Sequence, residues 1–245
     1  MGWVGEVVAW FSDAENYRGA LGVPTLFVQH LGLTAAALGL ACLVGLPLAI
    51  WLGHTGRGGV LAIQVSNIGR AVPTLAILVI LVLAPPPFGR TTFSAVLAFT
   101  LFALPPIITN TYVGMREVDR GAVDAANGMG MSGMQVLRRV ELPLAVPLLI
   151  NGVRLAAVQL VATVSIAAIA AFGGLGRIVT RGFANQDVGE LVAGALLIAV
   201  LALAAEGAFA LLNSRIDPRL RVQRAAERRT TAVMAGVNAP GGITT

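Results

Sequence analysis

Residues 124–143 read DAANGMGMSGMQVLRRVELP and separate two long apolar stretches, at about Thr92–Val113 and Pro143–Phe172. In helical form each stretch is long enough to cross a hydrocarbon core about 30 Å thick. Between the two stretches, small, apolar and polar residues alternate with the period of a helix. A group of glycines interrupts this pattern, and Ser132 in the same region is a suitable helix N-cap. We therefore predict a short helix, a glycine turn and a second helix beginning near Ser132, enclosed by two membrane spans.

The composition of the whole chain also indicates a membrane protein. The chain has 245 residues, of which 56% are hydrophobic and 12% charged, and its mean hydropathy is +0.82. A soluble domain carries roughly 25% charged residues, so this chain has too few to cover a water-facing surface. Because a single span has to satisfy its own backbone hydrogen bonds, the apolar stretches are predicted to be helices. The expected fold class is an all-α integral membrane protein that forms one bundle.

Five stretches are long and apolar enough to span a bilayer. They lie at about Gln29–Trp51, Val60–Leu83, Thr92–Val113, Pro143–Phe172 and Glu190–Leu212. In the first stretch small residues recur at every fourth position, which favours the close approach of another helix. These residues are Ala41, Gly45, Ala49 and Gly53. Prolines inside the stretches, such as Pro73, favour kinks.

The arginines predict how the five spans are oriented. If the N-terminus lies outside, the inner segments hold Arg57, Arg116, Arg120, Arg138, Arg139, Arg215, Arg219, Arg221, Arg224, Arg228 and Arg229. The outer segments then hold only Arg18, Arg90, Arg177 and Arg181. Short loops rich in arginine stay on the cytoplasmic side of a membrane. We predict five transmembrane helices with the N-terminus outside, the C-terminus inside and residues 114–143 in the cytoplasm.

The two ends of the chain are expected to lie outside the membrane domain, which we place at residues 29–213. Residues 1–28 lack the basic start of a secretory signal peptide. Trp3, Val7 and Trp10 share one helical face, so this extracytoplasmic segment is expected to form either a short interfacial helix or a partly ordered tail. Residues 214–245 become polar and end in a Pro-Gly-Gly sequence, which predicts a disordered cytoplasmic tail.

Several function classes are excluded by what the sequence lacks. The sequence contains no lysine, and a P-loop needs one to hold ATP phosphates, so ATP chemistry has to belong to a partner chain. Cys42 is the only cysteine, and His30 and His54 are too far apart to form a helical ligand pair, so no metal site is expected. The arginines are dispersed without interleaved aromatic residues, which argues against nucleic-acid binding. The chain also has no metalloprotease, serine hydrolase or paired-carboxylate motif of a membrane enzyme.

The loop after residue 123 resembles the signature loop of permease subunits of ATP-binding cassette (ABC) importers. That signature is Glu-Ala-Ala, three residues, Gly, nine residues and Ile-x-Leu-Pro. The positions that match it are Asp124, Ala125, Ala126, Gly130, Val140, Leu142 and Pro143. Asp replaces Glu and Val replaces Ile, which preserves charge and shape. The spacing is long and specific, and it lies between two predicted spans.

The flanking sequences are similar to one branch of these permeases, the osmoprotectant permeases for glycine betaine, carnitine, choline or proline betaine. The similarity covers about residues 29–213 and includes ALPPIITNTYVGMREVD at 103–119 and IAAFGGLGRIVTRGF at 169–183. It implies a type I importer fold in a bacterial cytoplasmic membrane. It also implies three partners: a second permease chain that is identical or a sister, ATPase subunits that hold ATP and Mg²⁺, and an extracellular substrate-binding protein. No cofactor is expected on this chain itself.

The resemblance implies that the loop is a coupling helix that docks on the ATPase. Asp124 is expected to supply an acceptor, Ala125 and Ala126 to permit close approach to the partner, and Gly130 to make a turn without a Cβ conflict. Leu142 and Pro143 would restart the next span rigidly. Gly128 belongs to the same glycine turn.

Three charged residues lie furthest inside the predicted spans. Arg154 and Glu206 are expected at similar depth, at which they either form an ion pair that braces the fourth and fifth spans or extend separately to the inner interface. Arg70 is expected either to contact a neighbouring helix or the second permease chain, or to face the pathway, at which it could meet the carboxylate of a betaine. No tyrosine or tryptophan cluster lies in the middle of the spans, so recognition of a quaternary ammonium is expected on the binding protein.

Other transport functions remain open at this point. A permease of the same type for an amino acid or another small solute would have the same loop and the same spans. A passive channel or a membrane scaffold would have the spans without any need for an ATPase partner.

Overall fold

The computed structural model describes residues 2–59, 63–64, 69 and 72–216, and every regular element in this part of the chain is helical. The α-helices are α1 Trp3–Ser12, α2 Val23–Thr55, α3 Thr74–Leu83, α4 Thr92–Arg116, α5 Arg120–Gly128, α6 Gly133–Val136, α7 Leu142–Thr163, α8 Gly176–Asn185 and α9 Val188–Ile216. Shorter 3-10 segments are Ala14–Tyr17 and Val164–Ala168, and Leu137–Glu141 is a π-helical turn. The predicted tail from residue 217 onward lies outside the described residues.

Within the described ranges, four helices are long and apolar enough to cross a membrane. They are Val23–Thr55, Thr92–Arg116, Gly133–Ala168 and Val188–Asn213. The first, third, fourth and fifth predicted spans are therefore confirmed as helices. The first begins six residues earlier than predicted, because Pro24 suits the first turn of a helix and Gly22 caps it.

The second predicted span differs from the prediction. A continuous helix over Val60–Leu83 is wrong at Val72 and Pro73, which are not helical, and Pro73 is extended with ψ 121°. The residue before a proline is pushed out of the α region by the proline ring, so the helix restarts only at Thr74. Helix α3 has 10 residues and is about 15 Å long, which is roughly half a hydrocarbon core. Residues 60–62, 65–68 and 70–71 lie outside the described part.

The main core forms where α2, α3, α4 and α7 meet, and it consists mostly of small side chains. Its buried residues are Leu33, Ala37, Ala41, Leu78, Ala95, Ala98, Phe99, Ala103, Ile107, Ala156, Leu160, Val164 and Ala167. The small-residue stripe of α2 is buried against α4, as predicted, because a Cβ at Gly45 would lie 3.1 Å from a methyl group of Leu104. With little side chain between them, the two helices pack backbone to backbone.

Gly53→Ala tests the close contact of α2 with α4. A methyl group there would collide with the Cβ of Met115, so we expect overpacking that destabilises the fold by about 1–3 kcal/mol. Gly39→Ala on the same helix is the control, because no atom lies within 4 Å of its added Cβ. Thermal unfolding in detergent should show a lower midpoint for Gly53→Ala alone. An unchanged midpoint for both variants would contradict the tight packing.

At the outer end of the bundle, α1 and α8 both pack against α9. Helix α1 is present; of the predicted face, Val7 and Trp10 are buried against protein and Trp3 is 61% exposed, and contact of this helix with the interface stays a prediction. Helix α8 was not predicted, since it is too short and too polar to register as a span. The α-helix of the fourth span ends at Thr163 and a 3-10 segment extends it to Ala168, four residues before the predicted end at Phe172.

Candidate functional site

The loop between α4 and α7 folds as two short helices separated by a tight turn. Asp119 caps α5, because its Oδ1 accepts a hydrogen bond from the backbone of Gly121 at 3.0 Å. The end of α5 is a Schellman motif, in which the backbone of Met131 donates to Ala126 and that of Gly130 donates to Asn127. Gly130 has a φ of +82°, which only glycine adopts without strain. The predicted glycine turn is therefore a defined backbone conformation.

The second half of the loop is continuous with the fourth span. Ser132 is the N-cap of α6, as predicted, and its backbone N–H donates to Oε1 of Gln135 at 2.8 Å. Helix α6 runs through the π-helical turn into α7, where Pro143 occupies the first turn. Proline has no N–H to donate, and Pro143 follows directly on the π-helical turn, where the regular pattern of α-helical hydrogen bonds has already changed. A displacement of α6 is thus carried into α7 along an unbroken helix.

Most of the signature residues are exposed. Asp124, Ala125, Gly128, Gly130 and Pro143 are all accessible at this end of the bundle. Ala126 differs from the prediction that it lies against a partner: it is only 2% exposed and is covered by its own chain. The reason is its place on the inner face of α5, where its carbonyl accepts the Schellman hydrogen bond.

Two exposed methionines, which sequence reasoning did not single out, flank the turn. Met129 follows α5 and is 76% exposed, and Met134 lies in the first turn of α6. Exposed large apolar side chains beside a polar loop are typical of a contact surface. The flexible thioether adapts to the shape of the surface that it meets.

An apolar cluster anchors the loop to the spans. Its buried members are Met115, Val118 and Ala145, and Ile50, Val123, Leu137, Leu142 and Leu149 pack against them. Residues from α2, α4, α5 and α7 therefore meet at one place. Leu142, which the signature includes, is half-buried in this cluster and holds the loop against the membrane domain.

A polar contact next to this cluster was missed by sequence reasoning. Nδ1 of His54, in the last turn of α2, donates to Oε2 of Glu141 at 2.5 Å. Glu141 occupies the variable position between Val140 and Leu142 of the signature, so the motif gave no reason to select it. The two residues are separated by 87 positions, and only the fold brings them together.

Arg154 and Glu206 are in contact between α7 and α9. Nε of Arg154 donates to Oε2 of Glu206 at 2.9 Å, and a second guanidinium nitrogen contacts Oε1. The two-point geometry is the strongest form of an arginine–carboxylate pair. The side chains are 28% and 37% exposed on this single chain. Arg70, the third intramembrane charge, lies outside the described residues, and its pathway role stays a prediction.

Further polar contacts join the spans elsewhere. Nδ2 of Asn151 donates to Oδ1 of Asn110 at 3.2 Å, which connects α7 to α4. At the outer end, Nε2 of the buried His30 donates to the carbonyl of Val161 at 2.9 Å. Oε1 of Gln29 accepts from the backbone of Gly174, so α2 also holds the glycine loop before α8. These three pairs were not predicted, because the sequence does not indicate which distant residue a single polar residue in an apolar stretch will contact.

The fold and the loop define a class of protein, a helical membrane permease with a coupling loop at its inner end. The family model described as "Binding-protein-dependent transport system inner membrane component" matches residues 45–222. The chain belongs to this family and is the permease subunit of an ABC importer in the inner membrane.

Relatives and solved structures agree with this assignment. The chain is 33% identical to the carnitine transport permease protein OpuCD of Listeria monocytogenes, over 78% of this chain and 85% of the relative. It is also 33% identical to the choline transport system permease protein OpuBD of Bacillus subtilis, over 78% and 84% of the two chains. Its fold is similar to the inward-facing MetNI methionine ABC transporter, with a TM-score of 0.67 and 24% identity over 80% of this chain and 96% of that chain.

Proposed function

We propose that this chain is the translocation subunit of an importer for a compatible solute with a quaternary ammonium group, such as glycine betaine, carnitine or choline. The observation that carries the proposal is the exposed coupling loop, whose ends are anchored in α4 and α7. The names of the relatives OpuCD and OpuBD support the class of solute. Solute would pass by alternating access, in which ATP-dependent closure of the partner pair moves the loop and turns the cavity outward.

The partners follow from the same proposal. ATPase subunits, which hold ATP and Mg²⁺, would dock on the surface formed by Asp124, Ala125, Met129 and Met134. Asp124 is an exposed acceptor for a basic group, and the two methionines are apolar contacts. A second permease chain and an extracellular substrate-binding protein would complete the complex. This chain would then bind no cofactor and carry out no hydrolysis of its own.

The placement of aromatic residues supports recognition on the binding protein. In the described part of the chain the tryptophans lie in α1 and near the inner end of α2. The tyrosines lie in the 3-10 segment after α1 and near the inner end of α4. A quaternary ammonium needs several aromatic faces around one point. Within the described residues, neither a tryptophan nor a tyrosine lies in the middle of a span.

Uptake into proteoliposomes tests the proposed function. The vesicles would contain this chain, its candidate ATPase and its candidate binding protein, and the measurement is entry of labelled glycine betaine with and without ATP. We expect ATP-dependent uptake that unlabelled choline or carnitine reduces. Uptake of an amino acid such as proline in place of betaine would contradict the proposed class of solute. The assignment of the chain to an importer would still hold. Flux without ATP would favour a passive channel and would contradict the importer itself.

A further inference from the structure

The hydrogen bond between His54 and Glu141 joins two elements that are distant along the chain. His54 is the penultimate residue of α2, and Glu141 is the last residue of the π-helical turn that precedes α7. The side chains are 28% and 12% exposed, so water competes little for the contact. A hydrogen bond from an imidazole to a carboxylate in such surroundings is stronger than one between neutral groups.

The other edge of the imidazole lies beside the start of α6. A Cβ at Gly133 would be 3.8 Å from Nε2 of His54, which is ordinary van der Waals contact. The ring therefore lies beside the start of the second half of the coupling loop, near residue 133, and is hydrogen-bonded to the end of this half at residue 141. The π-helical turn lies between these two points, and such turns within helices are frequent at functional sites.

Helix α2 is not adjacent to the coupling loop in sequence, because the chain continues from α2 toward the second predicted span. Apolar contacts near this point, through Ile50 and the cluster around Met115, also join them. Apolar contacts set a distance but little direction, whereas a short hydrogen bond fixes the relative position of two groups.

We infer that His54 is a positioning residue that makes α2 move together with the coupling loop. A displacement of the loop then reaches two spans, α7 through the unbroken helix and α2 through the His54–Glu141 hydrogen bond. The inference rests on the proposed function, in which the loop transmits ATP-dependent movement. It adds a route by which movement of the ATPase reaches α2, a helix that does not flank the loop in sequence.

The first test measures the connection itself and needs no transport. Spin labels on Trp51→Cys in α2 and Met134→Cys in α6, in a Cys42→Ser background, report the distance between the two elements in the purified full chain. Both label sites are exposed. We expect one narrow distance distribution, which His54→Leu broadens. A distribution that is equally narrow in His54→Leu overturns the inference, whether or not the complex transports betaine.

The second test measures the solute transported per ATP hydrolysed by the reconstituted complex. Loss of a hydrogen bond to a charged group changes an equilibrium by roughly tenfold, so we expect about that reduction in coupling for His54→Leu and for Glu141→Leu. The double variant should be no worse than either single one, because the same contact is already lost. Equal coupling in the wild type and in the single variants overturns the inference.

Two matched variants separate positioning from general damage. His54→Asn places an amide nitrogen near the position of Nδ1 and should retain most of the coupling. Thr55→Ala changes the adjacent residue and should have no effect, because the hydrogen bonds of its hydroxyl within the described residues go to α2 and to the turn after it. If Thr55→Ala uncouples as much as His54→Leu, the effect is not specific to His54 and the inference fails. A wild type without ATP-dependent uptake would contradict the proposed function, and the label distances would still decide the role of His54.

Discussion

Reversal of the charge at Arg154 alone, in Arg154→Glu, is expected to abolish assembly of the membrane domain, and Glu206→Arg should do the same. In either variant two like charges face each other between α7 and α9. At about 4 Å and an effective dielectric near 20, their repulsion is roughly 4 kcal/mol, and the attraction of the native pair is lost as well. A folded domain is stable by only about 5–15 kcal/mol in total.

The double reversal Arg154→Glu/Glu206→Arg should restore much of the assembled protein. The pair regains opposite charges, and an arginine fork can meet a carboxylate from either helix. The measurement is the yield of monodisperse complex after solubilisation, with its thermal midpoint. A double variant that is no better than the single ones would show that the contact does not brace the two spans.

An exposed ion pair in the same chain provides the control. Arg18 and Glu15 are in contact, but their side chains are 72% and 76% exposed. Surface pairs of this kind contribute about 0–1 kcal/mol. Arg18→Glu should therefore leave yield and midpoint close to the wild type. A loss as large as that of Arg154→Glu would mean that any reversed charge damages this protein, and that the position between α7 and α9 has no special importance.

The Arg154–Glu206 contact shows which long-range features could be predicted from the sequence. Both residues lie in long apolar helices, so their depth could be counted at a fixed rise per residue, and a charge in an apolar span needs a partner. His54 and Glu141 gave no such signal, because both lie at the polar end of a helix, where charged residues are ordinary. Their pairing depends on how α2 and the loop pack in three dimensions.

The helix boundaries follow the same division. Hydropathy located the long spans because lipid imposes a length on them, and the helical alternation of residues together with the glycine group and Ser132 located the loop helices. Hydropathy did not predict α8, since a polar helix that packs on α9 outside the core has no such length requirement. At Val72–Pro73 a kink in a continuous span was predicted, whereas the helix restarts there. A proline in an apolar stretch is compatible with both outcomes, so the sequence alone does not distinguish them.

The inner and outer ends of the bundle also differ in how much could be predicted. The inner end carries a family signature, and its Gly130 turn and Ser132 cap follow from local residue preferences. At the outer end, Gln29 bonds to the loop before α8, 145 positions away, and His30 bonds to the last part of α7, 131 positions away. Local preferences contain no information on such contacts, so they appear only once α2 and α7 have packed.

Gly130→Pro is expected to reduce ATP-dependent uptake by more than about tenfold while the membrane domain still assembles. Proline fixes φ at about −65° and has no N–H, so it excludes the native φ of +82° and removes the hydrogen bond to Asn127. Among the described residues, no atom lies within 4 Å of a Cβ built at Gly130, so a larger side chain there meets no neighbour. The damage should therefore stay in the loop, where α5 would be presented to the ATPase at the wrong angle.

Alanine substitutions at two neighbouring glycines give a graded comparison. Gly130→Ala keeps the N–H but places an L-residue in the left-handed region, which costs about 1–2 kcal/mol, so uptake should fall by less than in Gly130→Pro. Gly128→Ala lies in the last turn of α5 with open space around its Cβ, and alanine favours a helix over glycine by about 1 kcal/mol. It should transport at least as well as the wild type. Since the two positions differ in φ and not in crowding, equal activity of all three variants would mean that the backbone of this turn does not determine coupling, and that the loop acts through its exposed side chains alone.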